Sequence, residues 1–279
     1  MNLSDKAMMV SLSISSWQAR MLDRKATKET NKNNGAADDA GRYNKLLVQK
    51  ESIQKINKIV NSARTFHYEN TLPWKKGVDL LPAENYFDYM SGLRRIKTDF
   101  YNEVKEFLKN YDALVAVQAA RLGKLFNISD YPSKEEIELK FSFDVEIFPT
   151  VDPNDFRVKL SEQEVESIRE EIETRQNEYL MSATKDLWKR LYDVIQNLML
   201  KMKEKKPVFR NTLVSNVFDL VQLLPKLNVT NDTELAKFAN EAFEKLALLN
   251  PDTLRANPKQ RKQTAKEAEE IIKRMEEFF

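Results

Sequence analysis

The amino-acid sequence predicts a mainly α protein. It should be an elongated helical bundle with two long antiparallel helices and a small two-stranded β-sheet, plus a C-terminal helical subdomain. Three observations lead there. No proline or glycine falls between Ser161 and Lys206, an interval of 46 residues. A second helical pattern runs from Pro82 to about Phe126. The chain of 279 residues has five glycines, where average usage would give about 20.

Residues 7–16 alternate Met8, Val10, Leu12 and Ile14 with small or polar neighbours, a period of two that predicts a strand. Trp17 follows, then a basic run of Arg20, Arg24, Lys25, Lys28 and Lys32. Residues 29–41 lack apolar content and read as a flexible loop. A helix is predicted over Arg42 to Tyr68, with Leu46, Ile53, Ile56, Val60 and Ala63 on one stripe. The aromatic segment after it, through Pro73 and Trp74, reads as a corner.

Pro82 suits the first turn of the next helix, which should continue to Phe126 with a kink at Gly92. Leu139, Phe141, Phe143, Val145 and Ile147 then alternate with charged or polar residues and predict a second strand. It should pair with residues 7–16, because a lone strand leaves a row of backbone donors unmet. Pro149, Asp152, Pro153 and Asn154 form a turn-rich connection.

Ser161 and Glu164 make a capping box at the start of the Ser161 helix. Apolar residues recur there at Val165, Ile168, Ile172, Tyr179, Ala183, Leu187, Leu191, Val194, Leu198 and Met202. The mean step is near 3.6 rather than 3.5, which argues against a long left-handed coiled coil. Between Ser161 and Tyr179 seven glutamates face two arginines, so this half should be solvated. From Leu187 to Met202 ten of 16 residues are apolar or aromatic, so that half should be buried on several sides. Lys201, Lys203, Lys205 and Lys206 close the helix. Acid first and base last complements the helix dipole. Beyond Pro207, helices are predicted at about 209–224, 232–249 and 258–278. The expected division is a long-helix bundle with its β element over 1–206 and a helical subdomain over 207–279.

Composition limits the chemistry. The chain has no cysteine and one histidine, and a net charge of +2. Thiol nucleophiles, disulfides and Cys/His zinc sites are excluded. No stretch has a signal-peptide shape or the roughly 18 apolar residues of a membrane span, which fits a cytoplasmic protein. Asn127, Asn228 and Asn231 head N-x-S/T triplets that read as chance matches without an export signal. His67, between Phe66 and Tyr68, has no carboxylate or nucleophile at fixed spacing and reads as a packed side chain. Ser52 and Lys55 make an S-x-x-K, but the companion motifs of serine acyl-transfer enzymes are missing. The glutamates at 162, 164, 166, 170, 171 and 173 lack the histidines of a helical di-metal site. No glycine-rich phosphate loop is present. No catalytic, metal or cofactor residue is therefore assigned.

Two basic clusters remain: Arg20, Arg24, Lys25 and Lys28, flanked by Trp17, and Lys201, Lys203, Lys205, Lys206 and Arg210, flanked by Phe209. Cations beside aromatics suit single-stranded nucleic acid, which binds by phosphate contact and stacking. These eleven residues are the candidate contacts for nucleic acid or a protein partner.

The segments VSLSISSW, YPSKEEIELKFSFDVEIFP and VDPNDFRV, followed by the long helix, resemble an uncharacterised phage and bacterial family known only as a domain of unknown function. Its genes are often found near MoxR-type AAA+ ATPases. The resemblance implies a cytosolic protein of phage or bacterial origin that acts as adaptor or substrate of an ATPase machine. It transfers no catalytic residue. The sequence reading is a non-enzymatic interaction protein, self-associating or bound to an AAA+ ATPase, without a membrane role. The alternative is a single-stranded nucleic-acid-binding accessory protein using the clusters at 20–32 and 201–210.

Overall fold

The computed structural model describes residues 3–153, 161–205 and 207–278. Asn154, Lys206 and the part of VDPNDFRV after Pro153 lie outside them. The described chain is mainly helical and forms two compact units. One comprises residues 1–11, 68–89 and 146–279, and the other 12–67 and 90–145.

The strands are β1 (Ala7–Ser15), β2 (Arg20–Leu22), β3 (Asn44–Leu46), β4 (Leu72–Lys75), β5 (Val78–Pro82) and β6 (Ser142–Pro149). The helices are α1 (Arg24–Asn33), α2 (Lys50–Asn70), α3 (Tyr86–Leu122), α4 (Lys134–Glu138), α5 (Glu162–Lys203), α6 (Thr212–Leu227), α7 (Thr233–Ala242), α8 (Pro251–Ala256) and α9 (Pro258–Met275).

The expected pairing of the N-terminal strand with the strand after Leu139 is present, since β1 lies beside β6. The sheet is larger than predicted, with four strands in the order β4-β5-β1-β6. The segment read as an aromatic corner is the first strand of a hairpin. Lys76 and Gly77 turn it, and Gly77 takes a φ of +78°, which a side chain would oppose. β5 then pairs antiparallel with β1, Ala7 opposite Pro82 and Val10 opposite Asp79. A separate two-stranded ribbon joins β2 to β3, so Asn44–Leu46 is strand where the sequence predicts the start of a helix. Residues read as basic run and loop form α1, capped by Asp23, whose side chain accepts from the Ala26 amide.

In the first unit one hydrophobic core gathers the second half of α5 with α6, α7 and α9. Ala183, Leu187, Trp188, Leu191, Ile195, Leu198 and Met202 are all buried, as two adjacent stripes require. Residues 162–182 of the same helix include no buried residue. α9, α6 and β4 cover α5 within this unit. Trp188 ties the core together. Its ring stacks on Phe278 at 5.1 Å and meets Phe238 edge-on at 5.5 Å. Its Nε1 donates to Asp232 at 2.8 Å, and Asp232 in turn caps α7. Pro225 lies inside α6 rather than ending it, and a π-helical turn, Phe243–Ala247, follows α7.

In the second unit α3 supplies Leu93, Phe100, Val104, Phe107 and Tyr111 to the interior. Phe100 meets Phe141 and Phe143 at 6.2 and 5.7 Å. α3 runs through Gly92 without a break. The glycine makes room: a Cβ there would lie 2.2 Å from the Phe66 ring of α2.

Candidate functional site

The two basic clusters lie in different units, and the structure treats them differently. Trp17 is buried, with its ring 6.0 Å from both Phe107 and Tyr111. Little of that ring is left for a ligand. Arg20 on β2 and Arg24, Lys25 and Lys28 on α1 are exposed. Arg24 and Lys25 border a cavity of about 960 Å³ together with Lys124 and Lys45. Asp23, Glu29 and Asp130 line the same cavity and nearly cancel its positive charge.

Lys45 at its floor is a buried strut that the sequence did not reveal. Its Nζ lies 2.5 Å from Asp130 and 3.3 Å from Asp23, and donates to the Leu125 carbonyl at 3.0 Å. Burial opposes the charge on Lys45, but the two aspartates more than offset it and raise its pKa above the ordinary lysine value. The Ala26 amide, with help from Lys45, holds Asp23 below the usual carboxylate range against the effect of burial.

The second cluster opens onto a more basic surface. The last turn of α5 and the first half of α9 enclose a cleft of about 680 Å³. Met202, Pro258 and Ala265 supply apolar lining, and Lys203, Lys205, Lys259, Lys262 and Lys266 supply charge, against Glu204 and Glu269. Arg261 belongs to the wall, with Nη1 donating to the carbonyls of Leu254 and Arg255 at 2.9 Å each. It therefore fixes the α8–α9 junction.

Of the predicted contacts, Lys203 pairs with Glu269 at 3.1 Å and Lys201 with Glu204 at 2.7 Å. Lys205 and Arg210 are exposed. Phe209 is half-buried, and the guanidinium of Arg255 sits 5.0 Å from its ring centre. Arg255 also donates to the Phe209 carbonyl at 3.1 Å. Sequence reasoning missed the three lysines of α9 that line this cleft, Lys259, Lys262 and Lys266. Their spacing, i, i+3 and i+7, was a legible sign of a common helix face.

His67 is buried. Among the described residues no three histidine or acidic side chains are grouped to hold a metal ion, and no helix is long and apolar enough to cross a membrane.

A family model described as a protein of unknown function, DUF3150, matches residues 4–193. No curated protein and no solved structure matches the chain. The matched stretch ends inside α5, before the lysine cleft.

Proposed function

We propose that this chain, which belongs to the DUF3150 family of proteins of unknown function, is a binding protein rather than an enzyme. It acts as adaptor or partner of a MoxR-like AAA+ ATPase in the cytoplasm of a bacterium or a phage-infected cell. One observation supports this most: the first half of α5, residues 162–182, carries no buried residue and is strongly acidic. A predominantly acidic helical surface attracts a basic partner surface, speeds the encounter and rejects acidic alternatives.

The test uses Glu170, Glu173 and Glu178, which are exposed and take no part in the capping box. The wild-type chain should co-purify with a MoxR-type ATPase from its own host at low salt. The triple Glu→Lys variant should lose that capture by tenfold or more. Failure to recover the ATPase, or indifference to the reversal, would remove the proposal. A second reading, single-stranded nucleic-acid binding, is favoured by a different observation, the lysine cleft of α5 and α9.

A further inference from the structure

We propose that the cleft between the last turn of α5 and the first half of α9 binds the phosphate chain of single-stranded nucleic acid, with Lys205, Lys259 and Lys262 as its principal contacts. This rests on the second reading above and narrows it to one cleft and three side chains, two of them outside the cluster at 201–210.

Folding does not explain all of the charges around this cleft. Lysines at the end of α5 sit where the helix dipole favours cations, and Lys201 and Lys203 have carboxylate partners. Lys259 and Lys262 are in the opposite situation. They occupy the first turns of α9, which holds no acid in its first turn, and cations there oppose the dipole. They also stand three residues apart, where like charges repel. Among the described residues Lys205, Lys259 and Lys262 have no carboxylate within ion-pair distance, whereas Lys266 reaches Glu270 at 3.8 Å. Unneutralised cations held at a local cost around one concavity fit a polyanion that supplies the missing charge.

The shape selects among polyanions. The cleft is open and its lining is partly apolar, with Met202, Pro258 and Ala265 beside the lysine stems. A single strand can lay its backbone along the lysines and a sugar or base edge on the apolar lining. The α8–α9 junction, fixed by Arg261 and by Asn257 accepting from the amides of Lys259 and Gln260 at 3.0 and 3.2 Å, holds the N-terminal lysines in place. The cavity beside α1 is a poorer candidate, because its aspartates and glutamate offset its cations.

The test is fluorescence anisotropy of the full chain with labelled oligo(dT) of about 15 nucleotides. Three phosphate contacts give a log–log salt slope near −2, so affinity should fall by about 15-fold between roughly 50 and 200 mM salt. Lys205→Ala/Lys259→Ala/Lys262→Ala should weaken binding at least tenfold and flatten the slope, with an unchanged circular dichroism spectrum. Lys25→Ala/Lys28→Ala should bind as wild type. No binding by the wild-type chain at low salt would overturn both the reading and the site. Binding that survives the triple variant, or is lost instead with Lys25 and Lys28, would overturn the site and leave the reading standing. Tripolyphosphate binding as tightly as the oligonucleotide, or binding only to phosphatidylserine vesicles, would overturn the nucleic-acid assignment.

Discussion

Lys45 shows how one buried cation can organise a loop-rich region. Asp23 starts α1, Lys45 lies on β3, and Asp130 follows α3. All three side chains are less than one-seventh exposed, at 13%, 6% and 11%. Removing the cation leaves two carboxylates uncompensated, so Lys45→Met should cost about 3 kcal/mol, measured by urea unfolding. The pH dependence has two limbs. The depressed pKa of Asp23 contributes stability above the ordinary aspartate value of about 3.9, lost as pH falls through the folded value. The raised pKa of Lys45 contributes stability below about 10.4, lost as pH climbs through its folded value. In Lys45→Met the alkaline limb should vanish, while the acid limb persists in part because the Ala26 amide still binds Asp23. Gly92 poses the opposite problem, space rather than charge. Gly92→Ala should destabilise by about 1–3 kcal/mol, and Phe66→Ala in the same chain should recover part of that loss. A double-mutant cycle reads the coupling. Neither residue announces its role in the sequence. A glycine within a helical pattern suggests a kink, and the partners of Lys45 are remote along the chain.

Elements differ in how much of themselves they disclose. The start of α5 is set by Ser161 and Glu164, whose reciprocal bonds are formed, and the contrast between its halves follows from composition alone. Hydrogen exchange should therefore be faster over residues 162–182 than over 183–203. Ser161→Ala should cost about 1 kcal/mol of local helix stability, seen as faster exchange in the first turns. α3, β1 and β6 were legible for the same reason, an apolar period sustained over many residues. β4, β5, β2 and β3 were not, because three to five residues are too few to establish a period. α1 has only Ala26 and Asn31 buried, so it carries no apolar stripe and imitates a loop. The basic end of α5 was legible as charge. Its meeting with α9 was not, since packing rather than local pattern brings Lys203 and Lys259 to one cleft.

At the scale of the molecule, the core of the first unit combines the hairpin of β4 and β5 with the helices beyond residue 162. Leu191→Ala, at a fully buried position, should lower the stability of this unit by about 3 kcal/mol. The fluorescence of Trp74 and Trp188 in a Trp17→Phe background reports it, because both belong to this unit and Trp17 to the other. The family match stops at Asp193, yet Leu187, Trp188 and Leu191 are covered by helices further on. A chain ended there should aggregate or bind a hydrophobic dye, even though it spans the whole matched region.

That arrangement also sets a timetable for biosynthesis. A ribosome moving from Met202 to Met275 takes on the order of ten seconds, and throughout that interval the side of α5 that α9 covers stays open. The nascent chain should therefore be held by ribosome-associated chaperones late in translation, and it should be released from them only when α9 emerges.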